Sequence, residues 1–209
     1  MTRELHIELA TARQVPRLAT LHMASLPESM ISMLGPAAVA RYYDLVTTSA
    51  TEHVFVVRMV EDRSRGGTPF GDVVAACVLA LEPQTVLGRF ARSAPLRLAG
   101  DLLGQTLHGG FRRRVRARLA EPPGTTGTGV PEVTQIFTDA AQRGKGLGSA
   151  LLRACEDKLR ELGQLTYCIH TLRDDNDAGI RFYRREGFTD SGTSRSFGDH
   201  YLVMTKGLT

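Results

Sequence analysis

From Leu5 to Ala10 apolar and polar positions alternate with the two-residue period of a half-covered strand, and Thr11 then offers a side-chain oxygen to start a helix. Val15, Leu18, Ala19, Leu21 and His22 recur at helical spacing up to Ser25, and Pro27 closes the stretch. A loop, Leu26 to Leu34, leads to a second helix after Gly35-Pro36, with Val39, Tyr42, Tyr43 and Val46 along one side. Two runs rich in β-branched residues, His53 to Val60 and Asp72 to Leu81, enclose the turn formers Asp62 to Pro69, which predicts an antiparallel hairpin with a loose tip. The period becomes helical from Leu87 to Leu119 and stops in Pro122-Pro123-Gly124 to Gly129, a connector. Glu132 to Thr138 reads as a strand. Ser149 to Leu162 reads as a helix with Leu151, Leu152, Cys155, Leu159 and Leu162 on one side and Gly163 as its stop. Leu165 to Leu172 is the next strand, Asp174-Asp175-Asn176 can cap a helix running to Glu186 and ended by Gly187, and His200 to Thr205 supplies a closing strand. The order predicts a mixed α/β sheet in one domain, 1–209, with a helical insertion at about 83–131.

Composition changes this picture little. A hydrophobic fraction of 42% with 23% charged residues leaves enough apolar material for a core and excludes disorder as the main state. No apolar run approaches the roughly 18 residues that span a bilayer, and Met1 to His6 leads into no hydrophobic signal core, so the expectation is a cytoplasmic chain with no membrane span. Cys77, Cys155 and Cys168 lie far apart in apolar patterns, as buried reduced thiols do, and no metal-ligand spacing stands out. The net charge of +4 is concentrated: eight arginines and three acids between Glu82 and Pro131 give that segment +5. Its Phe111 to Leu119 stretch offers a surface for an acidic acceptor, a nucleic acid or a membrane, while the plainer reading is a solvated helix face. Without interleaved stacking aromatics it argues against a nucleic-acid platform.

Chemistry points to Arg143-Gly144-Lys145-Gly146-Leu147-Gly148, between a strand and a helix. The first turn of a helix has free N–H groups and a partial positive charge, and glycines let a phosphate approach them. Arg143 and Lys145 add charge, and Ser149 can bring a hydroxyl. The loop matches neither the Walker pattern G-x-x-x-x-G-K-S/T nor the dinucleotide pattern G-x-G-x-x-G. A tight connection using glycine only for geometry is the competing reading.

Arg143, Gly146 and Gly148 match the pattern Q/R-x-x-G-x-G/A. Asn176, Ile180, Phe182-Tyr183 and Gly187-Phe188 follow N-x-x-A-I-x-F/L-Y-x-x-x-G-F. In these two ordered motifs Glu132 to Phe188 resembles the GNAT superfamily of N-acetyltransferases. Thr138 and Ala140 stand where a valine and a proline are common, and Gly179 replaces the usual alanine. The resemblance implies a mostly antiparallel sheet, splayed as a V between the strands before and after the loop. It implies acetyl-CoA, or a close acyl-CoA, as donor and no metal cofactor. Its pantetheine arm would pair with Ile136-Phe137-Thr138, a backbone N–H at about Ile136 would face the thioester carbonyl, and Asn176 would contact the cofactor. Tyr183 would protonate the departing thiolate. Glu132 holds the position from which some members offer a base, the alternatives being a solvated carboxylate or a proton route through water. His22, Glu28 and His170 are further candidates for proton acceptor or substrate contact, and each also reads as structural. The expected acceptor is a small-molecule amine. An amino sugar is suggested by a loose likeness of the insertion and of Leu34-Gly35 to members that act on such sugars. A protein amine acetyltransferase and a non-catalytic acyl-CoA-binding module are the other readings, and exposed strand edges leave a homodimer open.

Overall fold

A computed structural model of the chain describes residues 4–60, 72–105, 112–113, 115–116 and 129–208. They form strands β1 (Glu4–Leu9), β2 (Glu52–Val60), β3 (Asp72–Ala80), β4 (Glu132–Thr138), β5 (Thr166–Leu172), β6 (Thr189–Ser196) and β7 (Asp199–Gly207). The helices are α1 (Val15–Ser25), α2 (Met30–Met33), α3 (Pro36–Thr47), α4 (Pro83–Ser93), α5 (Pro95–Gln105), α6 (Leu147–Glu161) and α7 (Asp177–Arg185). The strands make one mixed sheet in the order β1-β2-β3-β4-β5-β7-β6. The chain divides into two compact units, Met1–Leu79 with Gln135–Lys158 and Ala80–Thr134 with Leu159–Thr209.

In the first unit β1 runs antiparallel to β2 from Glu4↔Val60 to Leu9↔Phe55. β3 is covered on both sides, so its near-continuous apolar run, Val73 to Ala80, lacks the alternation of β1. Helices α1 and α3 contribute Leu18, Leu21, Val39, Tyr43 and Val46 to the core, which is the helical face the spacing predicts. Cys77 of β3 and Cys155 of α6 are free, buried thiols with Sγ atoms 3.3 Å apart.

In the second unit β5 pairs antiparallel with β7 over its whole length, Thr166↔Gly207 to Leu172↔Tyr201, and β6 pairs antiparallel with β7. The parallel β4–β5 register pairs Glu132 with Cys168 and Val133 with Ile169.

Four expectations need correction. β6 was not anticipated: Thr-Asp-Ser-Gly-Thr-Ser-Arg-Ser is an edge strand exposed along most of its length, so no covered face imposes a hydrophobic alternation. The loop Leu26 to Leu34 contains the short helix α2, capped by Ser29, whose side chain accepts from the Ser32 N–H. The insertion begins as two helices broken near Ala94-Pro95 rather than one continuous stretch, because proline starts each of them. α6 starts at Leu147, two residues early, so Leu147, Gly148 and Ser149 belong to its first turn. The predicted hairpin tip, Asp62 to Pro69, and most of the arginine-rich stretch lie outside the described residues; within that stretch Arg112, Arg113 and Arg116 are exposed.

Candidate active site

The glycine loop is held from its beginning. At the end of β4 the Asp139 N–H donates to the Val74 carbonyl at 2.8 Å, and its carboxylate accepts from the Ala141 N–H at 3.0 Å, capping a tight turn over Ala140–Gln142. Arg17 of α1 donates to Asp139 at 3.4 Å and to the Val73 carbonyl at 3.1 Å. Gly144 and Gly146 have φ of +77° and +76°, the left-handed region that a side chain disfavours. Among the described residues a Cβ on either would meet nothing within 4 Å, so backbone conformation and not crowding requires glycine there. The first helical bond runs from the Ala150 N–H to the Gly146 carbonyl. The N–H groups of Leu147, Gly148 and Ser149 therefore precede the helical ladder, where a helix is positive. Buried Leu147 pins this turn, while Arg143, Gly144, Lys145 and Gly146 are exposed. Lys145 Nζ donates to the Gln142 side chain at 2.7 Å, and Arg143 Nε to the Thr138 carbonyl at 3.4 Å, which keeps both cations beside the loop.

β4 turns Phe137 inward, 5% exposed, and leaves Ile136 and Thr138 half-buried. Behind Phe137 lies His22, fully buried, its ring edge-on to Phe137 at 5.5 Å and to Tyr43 at 5.7 Å. His22 Nδ1 is 2.9 Å from the Tyr43 hydroxyl, which donates to Gln135 Oε1 at 2.9 Å, and Nε2 is 2.9 Å from Ser29 Oγ. This chain ties α1, α3 and the start of α2 to β4. His22 is thus an internal strut; burial lowers its pKa to about 4, against a smaller raising effect of Gln135, so the ring is neutral at pH 7. Because the unfolded chain binds this proton more readily, stability should fall as pH drops from 6.5 towards 4. We expect a loss of about 2 kcal/mol between pH 7 and pH 5, read as a shift in urea midpoint, and a flatter acid limb in His22→Gln.

In the second unit Glu132 opens β4, half-buried, and burial raises its carboxyl to about 7. Cys168, paired with it in register, and His170 two residues on share its sheet face. One ligand-type atom from each of Glu132, Cys168 and His170 lies within 4.8 Å of the others. The spacing of Cys168 and His170 was visible in the sequence, but their proximity to Glu132 depends on the β4–β5 register. The opposite face of β5 meets α7. Asn176 stands at the N-cap, yet its side chain does not cap: it donates to Thr171 Oγ1 at 2.7 Å. This explains Gly179, since a Cβ there would come within 2.6 Å of the Asn176 amide. Tyr183 is 9% exposed, its ring between Phe182 at 5.1 Å and Phe188 at 5.6 Å, and Phe188 meets Tyr167 at 5.0 Å. Glu28 is exposed, on the loop between α1 and α2.

Residues 99–188 match the model of the acetyltransferase (GNAT) family. No curated protein matches the chain. Among solved structures, the fold resembles histone acetyltransferase HPA2 and related acetyltransferase from Corynebacterium glutamicum, with a TM-score of 0.59, 15% identity and coverage of 100% of this chain and 98% of that one. It also resembles Ard1 from Thermoplasma volcanium, with a TM-score of 0.58, 16% identity and 98% of each chain covered. A third is the ribosomal-protein-S18-alanine N-acetyltransferase from Escherichia coli, with a TM-score of 0.58, 12% identity and 99% and 95% covered. At such identities these likenesses speak for the fold. The family match over residues 99–188, the two motifs inside and beside the glycine loop, and the seven-stranded mixed sheet all resemble the GNAT acetyltransferase family.

Proposed function

We propose that this chain transfers an acetyl or similar acyl group from acyl-CoA to the primary amine of a small molecule, by direct attack in a ternary complex. The observation that carries the reading is the pair of left-handed glycines, Gly144 and Gly146, opening onto the first turn of α6 between two exposed cations, Arg143 and Lys145. Backbone N–H groups there suit the CoA pyrophosphate, with the Ser149 hydroxyl beside them. The pantetheine arm would extend along Ile136-Phe137-Thr138, and the Ile136 N–H would stabilise charge on the thioester oxygen as the amine adds. Asn176, held by Thr171, would contact the cofactor.

Glu132, poised near pH 7 by burial, suits the base that takes a proton from the incoming ammonium. The free amine adds to the thioester carbon, the tetrahedral intermediate collapses with loss of the C–S bond, Tyr183 gives its phenolic proton to the thiolate, and the extra proton on the acylated nitrogen leaves to water, from which the tyrosinate is reprotonated. A small acceptor, with amino sugars the first class to screen, is favoured by the insertion at about 83–131, which resembles that of family members acting on such sugars.

Tyr183→Phe tests the acid. Phenylalanine keeps the ring packing against Phe182 and Phe188, so the protein should fold and bind acetyl-CoA with little change while turnover falls at least about tenfold. Steady-state rates of CoA-thiol release measure it; unchanged turnover would reduce Tyr183 to a core residue.

A further inference from the structure

Strand β5 has two chemically different faces. One carries Tyr167 and Thr171, which meet Phe188 and Asn176, so it belongs to the α7 side. The other carries Cys168 and His170, with Glu132 beside Cys168 in register. The side-chain atoms of this trio lie within 4.8 Å of one another, a span that one water making two hydrogen bonds of about 2.8 Å can bridge. His170 Nδ1 is 3.5 Å from Ser194 Oγ, whereas its Nε2 is buried and has no hydrogen-bond partner among the described residues. A buried ring nitrogen left without a partner is poorly explained by packing alone. On this face of β4 to β7, among the described residues, the titratable groups are Glu132, Cys168, His170, Tyr201 and Asp199, and no lysine or arginine stands among them.

We infer that His170 works with Glu132 as a two-station proton acceptor: the acceptor's ammonium gives its proton to the Glu132 carboxylate, which passes it on to the His170 imidazole. This rests on the acyl-transfer reading above. One N–H bond of the ammonium breaks and leaves its electron pair on nitrogen. An O–H bond forms on Glu132, then breaks as an N–H bond forms on the imidazole. Glu132 returns to a carboxylate beside an imidazolium, which then loses the proton to water. Burial raises the carboxyl to about 7 and lowers the imidazole below its ordinary value, so the ring is neutral and open to a proton at pH 7. His170 thereby clears Glu132 for the next amine without opening the carboxylate to solvent.

Two readouts test the pair. By NMR of the His170 ring proton in the full chain, Glu132→Gln should remove the second phase near pH 7 from the His170 titration and leave a single transition, because the coupled partner that ionises there is gone. In kinetics, His170→Gln should reduce kcat/KM about tenfold at pH 7 with unchanged acetyl-CoA affinity, and adding it to Glu132→Gln should cost nothing further. An unmoved titration, or losses that multiply in the double variant, overturns the relay in a chain that still acetylates amines. Coupled titrations in a chain that acetylates no amine overturn the acyl-transfer reading, and the relay with it.

Discussion

Gly146→Glu is expected to abolish acetyl-CoA binding, weakening it by roughly a hundredfold or more, while the protein stays folded. The argument separates the two effects. Residue 146 has a φ of +76°, so any side chain there costs about 1–2 kcal/mol of backbone strain. Beyond that strain a Cβ at this position would meet no atom of the described residues within 4 Å. The new carboxylate would occupy the space in front of the α6 N-terminus, where the proposed pyrophosphate sits, and would compete for the same N–H groups with the same sign of charge. Calorimetric titration measures the affinity, and urea denaturation checks the fold. A variant that folds and keeps its affinity would remove this loop from the donor site.

Glu132→Gln should nearly eliminate turnover and, at alkaline pH, make the protein more stable. The carboxyl sits at about 7 against an ordinary 4.5, and burial is the cause. A carboxyl raised on folding binds protons better in the folded state. Stability is therefore lost as pH rises from 4.5 through 7, and the loss persists above. Glutamine has the shape without the charge and avoids that loss. We expect the variant to match the unmodified chain near pH 4.5 and to exceed it by roughly 2 to 3 kcal/mol at pH 8.5, read from urea midpoints. The same ionisation sets the rate: kcat/KM of the unmodified chain should climb as pH passes about 7 and flatten above. A variant that is faster or equally fast would remove Glu132 as base, and equal stabilities at pH 8.5 would contradict its buried ionisation.

The sequence was most informative where one face of an element is covered. α3 follows the period of its apolar residues because the core covers that face, whereas the expected covered face of β1 is not found, Leu5, Ile7 and Leu9 all being exposed, and the glycine loop could be located because positive φ has few residue solutions. β6 was invisible for the opposite reason: its polar, exposed residues have no face that the core selects. The start of α6 was misplaced because Leu147 reads as part of a glycine-rich loop, yet its burial makes it the first anchor of the helix. His22 could be placed on the apolar face of α1, but not its link through Tyr43 to Gln135, which joins residues 92 apart in sequence. The Glu132–His170 proximity likewise follows from a register between two strands, and no local pattern encodes it. Gly179 was read as a departure from the family pattern, and only the position of the Asn176 amide gives it a reason.

The most direct test of the central claim is a calorimetric titration of acetyl-CoA into the purified chain. The account predicts one-to-one binding in the micromolar range, lost in Gly146→Glu and kept in Tyr183→Phe. No heat with acetyl-CoA or with longer acyl-CoA, in protein shown to be folded, would contradict it.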